Sequence, residues 1–221
     1  MTDEEILRAL YDETLVGNGP RVLELTEQGL GAGMAPETML FEALIPSLEE
    51  VGARFERGDF FVPEMLIAGR AMAGALDRLR PLLAETGAQT VGTFLMSTVK
   101  GDVHDIGKNL VNIMLEGAGF HVIDLGVQVS PEKVVAGVLE HKPDIVGFSA
   151  FLTTTMPMFK ANINALQKAG LRDEVIVMVG GAPVTQEYAD AVGADGYAAD
   201  AATAVRKAKE LLAARRAAVG V

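Results

Sequence analysis

At 221 residues with 49% hydrophobic content, the chain is long enough for one large domain or two small ones, each with a buried core. A formal net charge of -11 sets the surface against phosphate backbones and so against nucleic acid as a partner, while zero cysteines exclude disulfides, thiolate nucleophiles, zinc–thiolate sites and protein-ligated iron–sulfur clusters. No apolar stretch approaches the roughly 20 residues needed to span a bilayer, and the start Met1-Thr2-Asp3-Glu4-Glu5 lacks a basic-then-apolar signal pattern, so a cytoplasmic protein without a membrane partner is expected.

Up to about residue 85 every periodic segment has helical spacing, which predicts an all-helical bundle. Thr2 and Glu5 form a capping box ahead of Ile6, Leu7 and Leu10. Pro36 suits the first position of a helix carrying Met39, Leu40, Leu44, Leu48 and Val51, with Pro46 placed to bend it. A further helix is predicted over 63–83, giving about four helices joined by glycine-rich breaks at 17–20, 29–33 and 58–59. Residues 85–89 read as a short linker. From residue 90 the texture changes to short apolar runs alternating with amphipathic segments, the pattern of βα units around a parallel sheet. Strands are predicted at 90–97, 121–125, 145–149, 175–179 and 196–197. Ser130-Pro131-Glu132 starts one helix and Asp200 caps the last, where the basic cluster between Arg206 and Arg216 also falls. The expected fold is therefore α/β: a helical bundle over 1–87, then a five-stranded parallel, doubly wound domain of flavodoxin-like order over 88–221.

Ligands of such sheets bind beyond the carboxyl ends of the strands, and three unusual segments fall there: residues 102–109, 149–155 and Gly180-Gly181. The first contains Asp102-x-His104-x-x-Gly107 at a strand-to-helix turn, with Asp105 inside it. His104, His121 and His141 are too scattered for a three-histidine metal site, so one imidazole plus a bound cofactor is the more economical metal reading. Metal-bound imidazole donates its other N–H to a carboxylate or carbonyl, and Asp102 can reach His104 within one loop; Ser149 is placed to extend that relay. Gly107 leaves room for a bulky ligand. Two rivals are weaker. Gly101 and Gly107-Lys108 do not have phosphate-loop spacing, and Asn109 stands where a magnesium-holding hydroxyl would be. As a phospho-acceptor, Asp102 would lack an acidic cluster beyond Asp105.

Asp102-x-His104-x-x-Gly107, Ser149-Ala150-Phe151 and Gly180-Gly181 together resemble the three-part signature of cobalamin-binding domains that hold the cofactor base-off and histidine-on. The run from Val51 to Pro63, including Phe55-Glu56-Arg57-Gly58-Asp59-Phe60-Phe61-Val62, resembles the helical cap that precedes this domain in cobalamin-dependent methionine synthase. With Leu152-Thr153-Thr154-Thr155-Met156 added, nearly the whole chain is similar to the small corrinoid proteins of methanol, methylamine and methoxy-aromatic methyltransferase systems. The resemblance implies His104 as lower axial cobalt ligand, with Asp102 and Ser149 tuning its proton. It implies a slot for the displaced nucleotide tail at Ser149, Phe151, Thr153, Thr154, Gly180 and Gly181, and a cover over the corrin's upper face from Phe55 and Val62. Phe60 and Phe61 read equally as cap contacts or bundle core. Phe151 departs from the family's Ser-x-Leu pattern.

The resemblance further implies a cobalamin methyl carrier cycling between cobalt(I) and methylcobalt(III), non-catalytic alone. Its partners would be a substrate-specific methyltransferase subunit, a second methyltransferase with a thiol or tetrahydropterin acceptor, and a reductive activator. The alternatives are a cobalamin-responsive regulatory module, for which this acidic chain leaves no room for an output domain, and the small subunit of an adenosylcobalamin mutase, against which the cap argues.

Overall fold

The computed structural model describes residues 1–86 and 90–219, and the chain divides into two compact units. The first comprises Met1–Thr90 with Glu116–Gly119, and the second Val91–Leu115 and the residues from Phe120 onward. Of the linker expected over 85–89, residues 87–89 lie outside the described residues, and 85 and 86 continue a helix instead.

In the first unit α1 (Asp3–Leu15) starts on the predicted capping box: Glu5 N–H donates to Thr2 Oγ1 at 3.3 Å and Thr2 N–H to Glu5 Oε2 at 2.8 Å. α2 (Gly19–Gly31) carries Pro20 in its first turn, where a missing N–H costs nothing. The third helical stretch is not continuous α-helix. α3 (Pro36–Met39) passes into a π-helical turn (Leu40–Leu44) and then into α4 (Ile45–Glu56). Pro46 explains this: it has no N–H for the Glu42 carbonyl and its ring crowds that oxygen, so the helix widens and Ile45 N–H donates to Leu40 O instead. The expected bend is thus a local widening. α5 (Val62–Thr86) completes the unit, and the four stretches close around Leu10, Leu25, Met39, Leu44, Met65, Met72 and Leu79, all fully buried.

The second unit is a parallel sheet of β1 (Thr93–Thr98), β2 (His121–Asp124), β3 (Ile145–Ser149), β4 (Ile176–Gly180) and β5 (Gly196–Ala198), in the order β2-β1-β3-β4-β5. Strand β1 begins later than expected because the Asp144 carboxylate takes the Thr93 N–H at 2.7 Å and ends the ladder there. Helices α6 (Ile106–Gly117), α7 (Pro131–His141), α8 (Pro157–Lys168), α9 (Gln186–Val192) and α10 (Ala201–Val219) alternate with the strands. Ser130 caps α7, and Asp200 accepts from Thr203 N–H at 2.7 Å ahead of α10. Leu95, Val146, Phe148, Val177 and Val179 line one sheet face and pack with Val134 and Val138 of α7 and Phe159 and Ile163 of α8. Chain order reverses between β1 and β3, and there the register sets Thr98 beside Ser149 and Ser149 beside Gly180. The loops after β1, β3 and β4 therefore meet at the carboxyl edge, at the switch point where open α/β sheets bind ligands. Among the described residues no helix is long and apolar enough to cross a membrane.

Candidate functional site

Asp102 organises the carboxyl edge. A tight turn after β1, in which Asp102 N–H donates to Val99 O at 3.1 Å, aims its carboxylate back into the protein, where it is fully buried. Five donors converge on it. Oδ1 accepts His104 N–H at 3.0 Å and His104 Nδ1–H at 2.7 Å; Oδ2 accepts the N–H groups of Phe151 and Leu152 at 2.8 and 3.1 Å, and Thr155 Oγ1 stands at 2.8 Å. Burial alone would push the carboxyl pKa up, but the hydrogen bonds from His104, Phe151 and Thr155 outweigh it and hold Asp102 well below the usual carboxylate range. An ionised carboxylate only accepts, so Nδ1 carries a proton and donates it, and Nε2 is the ring nitrogen left to face a ligand. The Thr155 hydroxyl has a second acceptor at 2.8 Å, Leu152 O, but the charged oxygen is the stronger acceptor for its one proton.

The loop backbone is held from both sides. His104 O accepts from Thr98 Oγ1 at 3.1 Å, Asp102 O from Gln128 N–H at 3.1 Å, and Val99 N–H donates to Ser149 O at 3.0 Å. Gln128 adopts φ 53°, a left-handed conformation uncommon outside glycine. At the start of α6, Asp105 O accepts Asn109 N–H at 2.7 Å. The side chain of Lys108 is buried and its ammonium bonds the Asp124 carboxylate and, at 2.8 Å, Asn109 Oδ1. Asp124 also accepts Gly126 N–H at 2.8 Å, which ties the first turn of α6 to the loop after β2.

Around this polar interior lies an apolar rim. Among the described residues of this unit the exposed large apolar residues are Val103, Val127, Phe151 and Leu152 in these loops, Ile106 at the start of α6, and Leu139 elsewhere. Ile106 is 68% exposed, Val103 58% and Phe151 52%. The imidazole of His104 is 44% exposed and stacks on Phe151 with ring centroids 4.4 Å apart. Space is open beside Gly107, where an added Cβ would meet nothing within 4 Å. Among the described residues no three His, Asp or Glu side chains gather to hold a metal ion. One outward imidazole nitrogen in a broad apolar rim fits a metal that arrives inside a large flat macrocycle.

Sequence reasoning placed Asp102, His104, Asp105, Gly107, Ser149, Phe151, Gly180 and Gly181 at one edge of the sheet, and the structure puts them there, Ser149 and Gly180 at strand ends, Gly107 in the first turn of α6 and the others in the adjoining loops. Thr153 and Thr154 are exposed in the turn ahead of α8. One reading needs correction: the residue beyond Asp102 in the relay is Thr155, whose hydroxyl reaches Oδ2, and Ser149 is not among the carboxylate's donors. Three consecutive threonines precede Pro157, and only Thr155 is buried; nothing in their order singles it out. Lys108 with Asp124 was also missed as a pair, since Lys108 was weighed only as a phosphate-loop lysine. Phe55 and Val62 lie half-buried in the first unit, and Phe61 is 65% exposed. Arg54 lies over the half-buried Phe60 ring, 5.1 Å from its centroid. These four residues are not the bundle core, which is aliphatic and methionine-rich.

Residues 92–206 match a family described as a B12 binding domain, and residues 6–80 match a second family of the same description. The chain belongs to the B12-binding corrinoid proteins. Its cofactor is a corrinoid. This corrinoid protein is 42% identical over 214 residues to the dimethylamine corrinoid protein of Methanosarcina barkeri, which covers 96% of this chain and 100% of that one. It is 42% identical over 204 residues to trimethylamine corrinoid protein 2 of Methanosarcina mazei, 91% of each chain. Among solved structures it resembles a chain of the methanol:cobalamin methyltransferase complex from Methanosarcina barkeri, with a TM-score of 0.84 and 29% identity, covering 96% of this chain and 81% of that one. It also resembles a cobalamin-binding protein from Desulfitobacterium hafniense DCB-2, with a TM-score of 0.68 and 31% identity, covering 90% and 95%.

Proposed function

We propose that this corrinoid protein is a methyl carrier that holds cobalamin with its own base displaced and His104 Nε2 as the lower cobalt ligand. The observation that carries the reading is the imidazole itself: Nδ1 committed to a buried, ionised Asp102, and Nε2 open within an apolar rim. When bound, cobalamin supplies a cobalt centre that accepts a methyl group from one donor and yields it to another acceptor. The protein's residues orient and tune. Asp102 keeps the proton on Nδ1 and raises the basicity of Nε2, Thr155 steadies the carboxylate, and Val103, Ile106 and Leu152 would bear the lower face of the ring. Ser149, Thr153 and Thr154 would hydrogen-bond the displaced nucleotide tail, which Gly180 and Gly181 allow close to the backbone. Phe55 and Val62, from a helical cap over 1–87, would cover the upper face and shield the methyl group while the domain over 88–221 holds the rest.

The side chains at the site include no cysteine and no second histidine to activate a methyl donor, so activation belongs to a separate subunit. A methyltransferase partner is supported by the likeness to a chain of the methanol:cobalamin methyltransferase complex and by relatives named dimethylamine and trimethylamine corrinoid proteins. The remaining partners in this scheme are a second methyltransferase that delivers the methyl group to a thiol or tetrahydropterin, and a reductive activator that rescues oxidised cobalt. Reconstitution with hydroxocobalamin tests the reading. Wild-type protein should turn red with the visible spectrum of a base-off, histidine-ligated cofactor, and His104→Ala should bind it without that signature. Retention of the cofactor's own base on cobalt in the wild type would reject His104 as ligand.

A further inference from the structure

We propose that Phe151 is a positioning residue for the axial imidazole: its ring fixes the plane of His104 and thereby sets how fully Nε2 engages cobalt. The inference rests on the axial-ligand reading above and deepens it.

One hydrogen bond, Nδ1–H to Asp102 Oδ1 at 2.7 Å, settles which nitrogen faces outward. It restrains the ring plane only loosely, because a hydrogen bond tolerates tens of degrees of misalignment and terminal torsions onto planar groups are broad. A swinging ring carries the Nε2 lone pair off any fixed axis. Phe151 removes that freedom. Its ring lies against the imidazole face with centroids 4.4 Å apart and planes inclined by 28°. The imidazole is 44% exposed, so the stack supplies a wall that solvent does not.

The same carboxylate assembles both rings. Asp102 Oδ1 holds His104 by its backbone and side chain, and Oδ2 holds the backbone N–H of Phe151 at 2.8 Å, although the two residues come from different loops. Phe151 itself is 52% exposed, so its ring adds little to the core and is spent on the imidazole. Leucine, the residue of the Ser-x-Leu pattern, would keep the backbone bonds and remove the aromatic face.

The test uses full-length protein carrying cob(II)alamin, labelled with 15N-histidine so that electron paramagnetic resonance identifies an imidazole nitrogen on cobalt by its nuclear-spin splitting. Phe151→Leu should lower the ratio of histidine-on to histidine-off cofactor about threefold to tenfold, the range an aromatic pair provides. Phe151→Tyr, which keeps the ring, should restore it. In the cofactor-free protein, NMR should show the His104 ring protons moved upfield by the Phe151 ring current in wild type and Phe151→Tyr, and not in Phe151→Leu. A wild-type ratio in Phe151→Leu, or failure of Phe151→Tyr to restore it, overturns the proposal while His104 stays the ligand. Absence of the histidine splitting in wild type overturns the axial-ligand reading itself, and this inference with it.

Discussion

Thr155 and Asp102 separate two jobs at the site, holding the carboxylate and holding the imidazole. Thr155→Val keeps the shape and deletes the O–H bond to Oδ2. It should cost about 1.5–3 kcal/mol in urea unfolding, the range for a hydrogen bond to a charged group, whereas Thr155→Ser should cost less than half of that. For Asp102 the prediction has a sign in pH. Its folded pKa is depressed, so its contribution to stability is complete above the unfolded value, about 4, and is lost as pH falls toward the folded value. Asp102→Asn should be about 3 kcal/mol less stable than wild type at pH 7, because an amide nitrogen then faces the buried donors, and that difference should shrink below about pH 4. A constant difference between pH 7 and pH 3 would contradict the assignment. The sequence made the Asp102–His104 contact legible because both residues sit in one turn, where two-residue spacing decides who can meet. It hid Thr155, whose place beside Asp102 depends on β1 and β3 being neighbours and on which of three threonines turns inward.

The elements were legible wherever a local rule decides them. The Thr2 capping box, Ser130 with Pro131, and Asp200 ahead of α10 are short-range chemistry, and each stands where its sequence put it. The switch from helical spacing to short apolar runs near residue 90 separated the two classes of element for the same reason. Pro46 was read as a bend, but a proline inside a packed helix is accommodated by whatever its neighbours permit, here a π-helical turn. Gly180-Gly181 shows the limit more sharply, since the pair looks equivalent in sequence. Gly181 has φ +136°, and an added Cβ would sit 1.9 Å from Ala150 O, whereas at Gly180 the nearest atom is Ala198 O at 3.0 Å. Gly181→Ala should therefore destabilise by about 3–4 kcal/mol, forcing the ends of β3 and β4 apart. Gly180→Ala should cost about 1 kcal/mol, as modest overpacking does. Urea melts that reversed this order would show that the close approach of the two strand ends does not set the stability there.

Two units with separate cores, one of helices around Leu10, Leu25 and Met72 and one around the sheet, give the cap proposal a measurable consequence. A ligand stabilises only what it binds, by about 2.7 kcal/mol when present at 100 times its dissociation constant. If cobalamin touched the α/β unit alone, hydrogen exchange would slow in the loops after β1, β2, β3 and β4 and leave the helical unit as it was. If Phe55 and Val62 cover the upper face of the ring, loading should also protect amides around the end of α4 and the start of α5, and Phe55→Ala should abolish that protection while leaving the His104 loop protected. The distinction matters for the carrier function, because a methyl group shielded by a cap is exposed only when the cap yields to a partner. A methyltransferase partner bound to the loaded protein should then return exchange at residues 55–62 toward the unloaded rate without releasing the cofactor. Unchanged protection there on loading would leave His104, Asp102 and Phe151 holding the lower face and would remove the helical unit from the shielding of the methyl group.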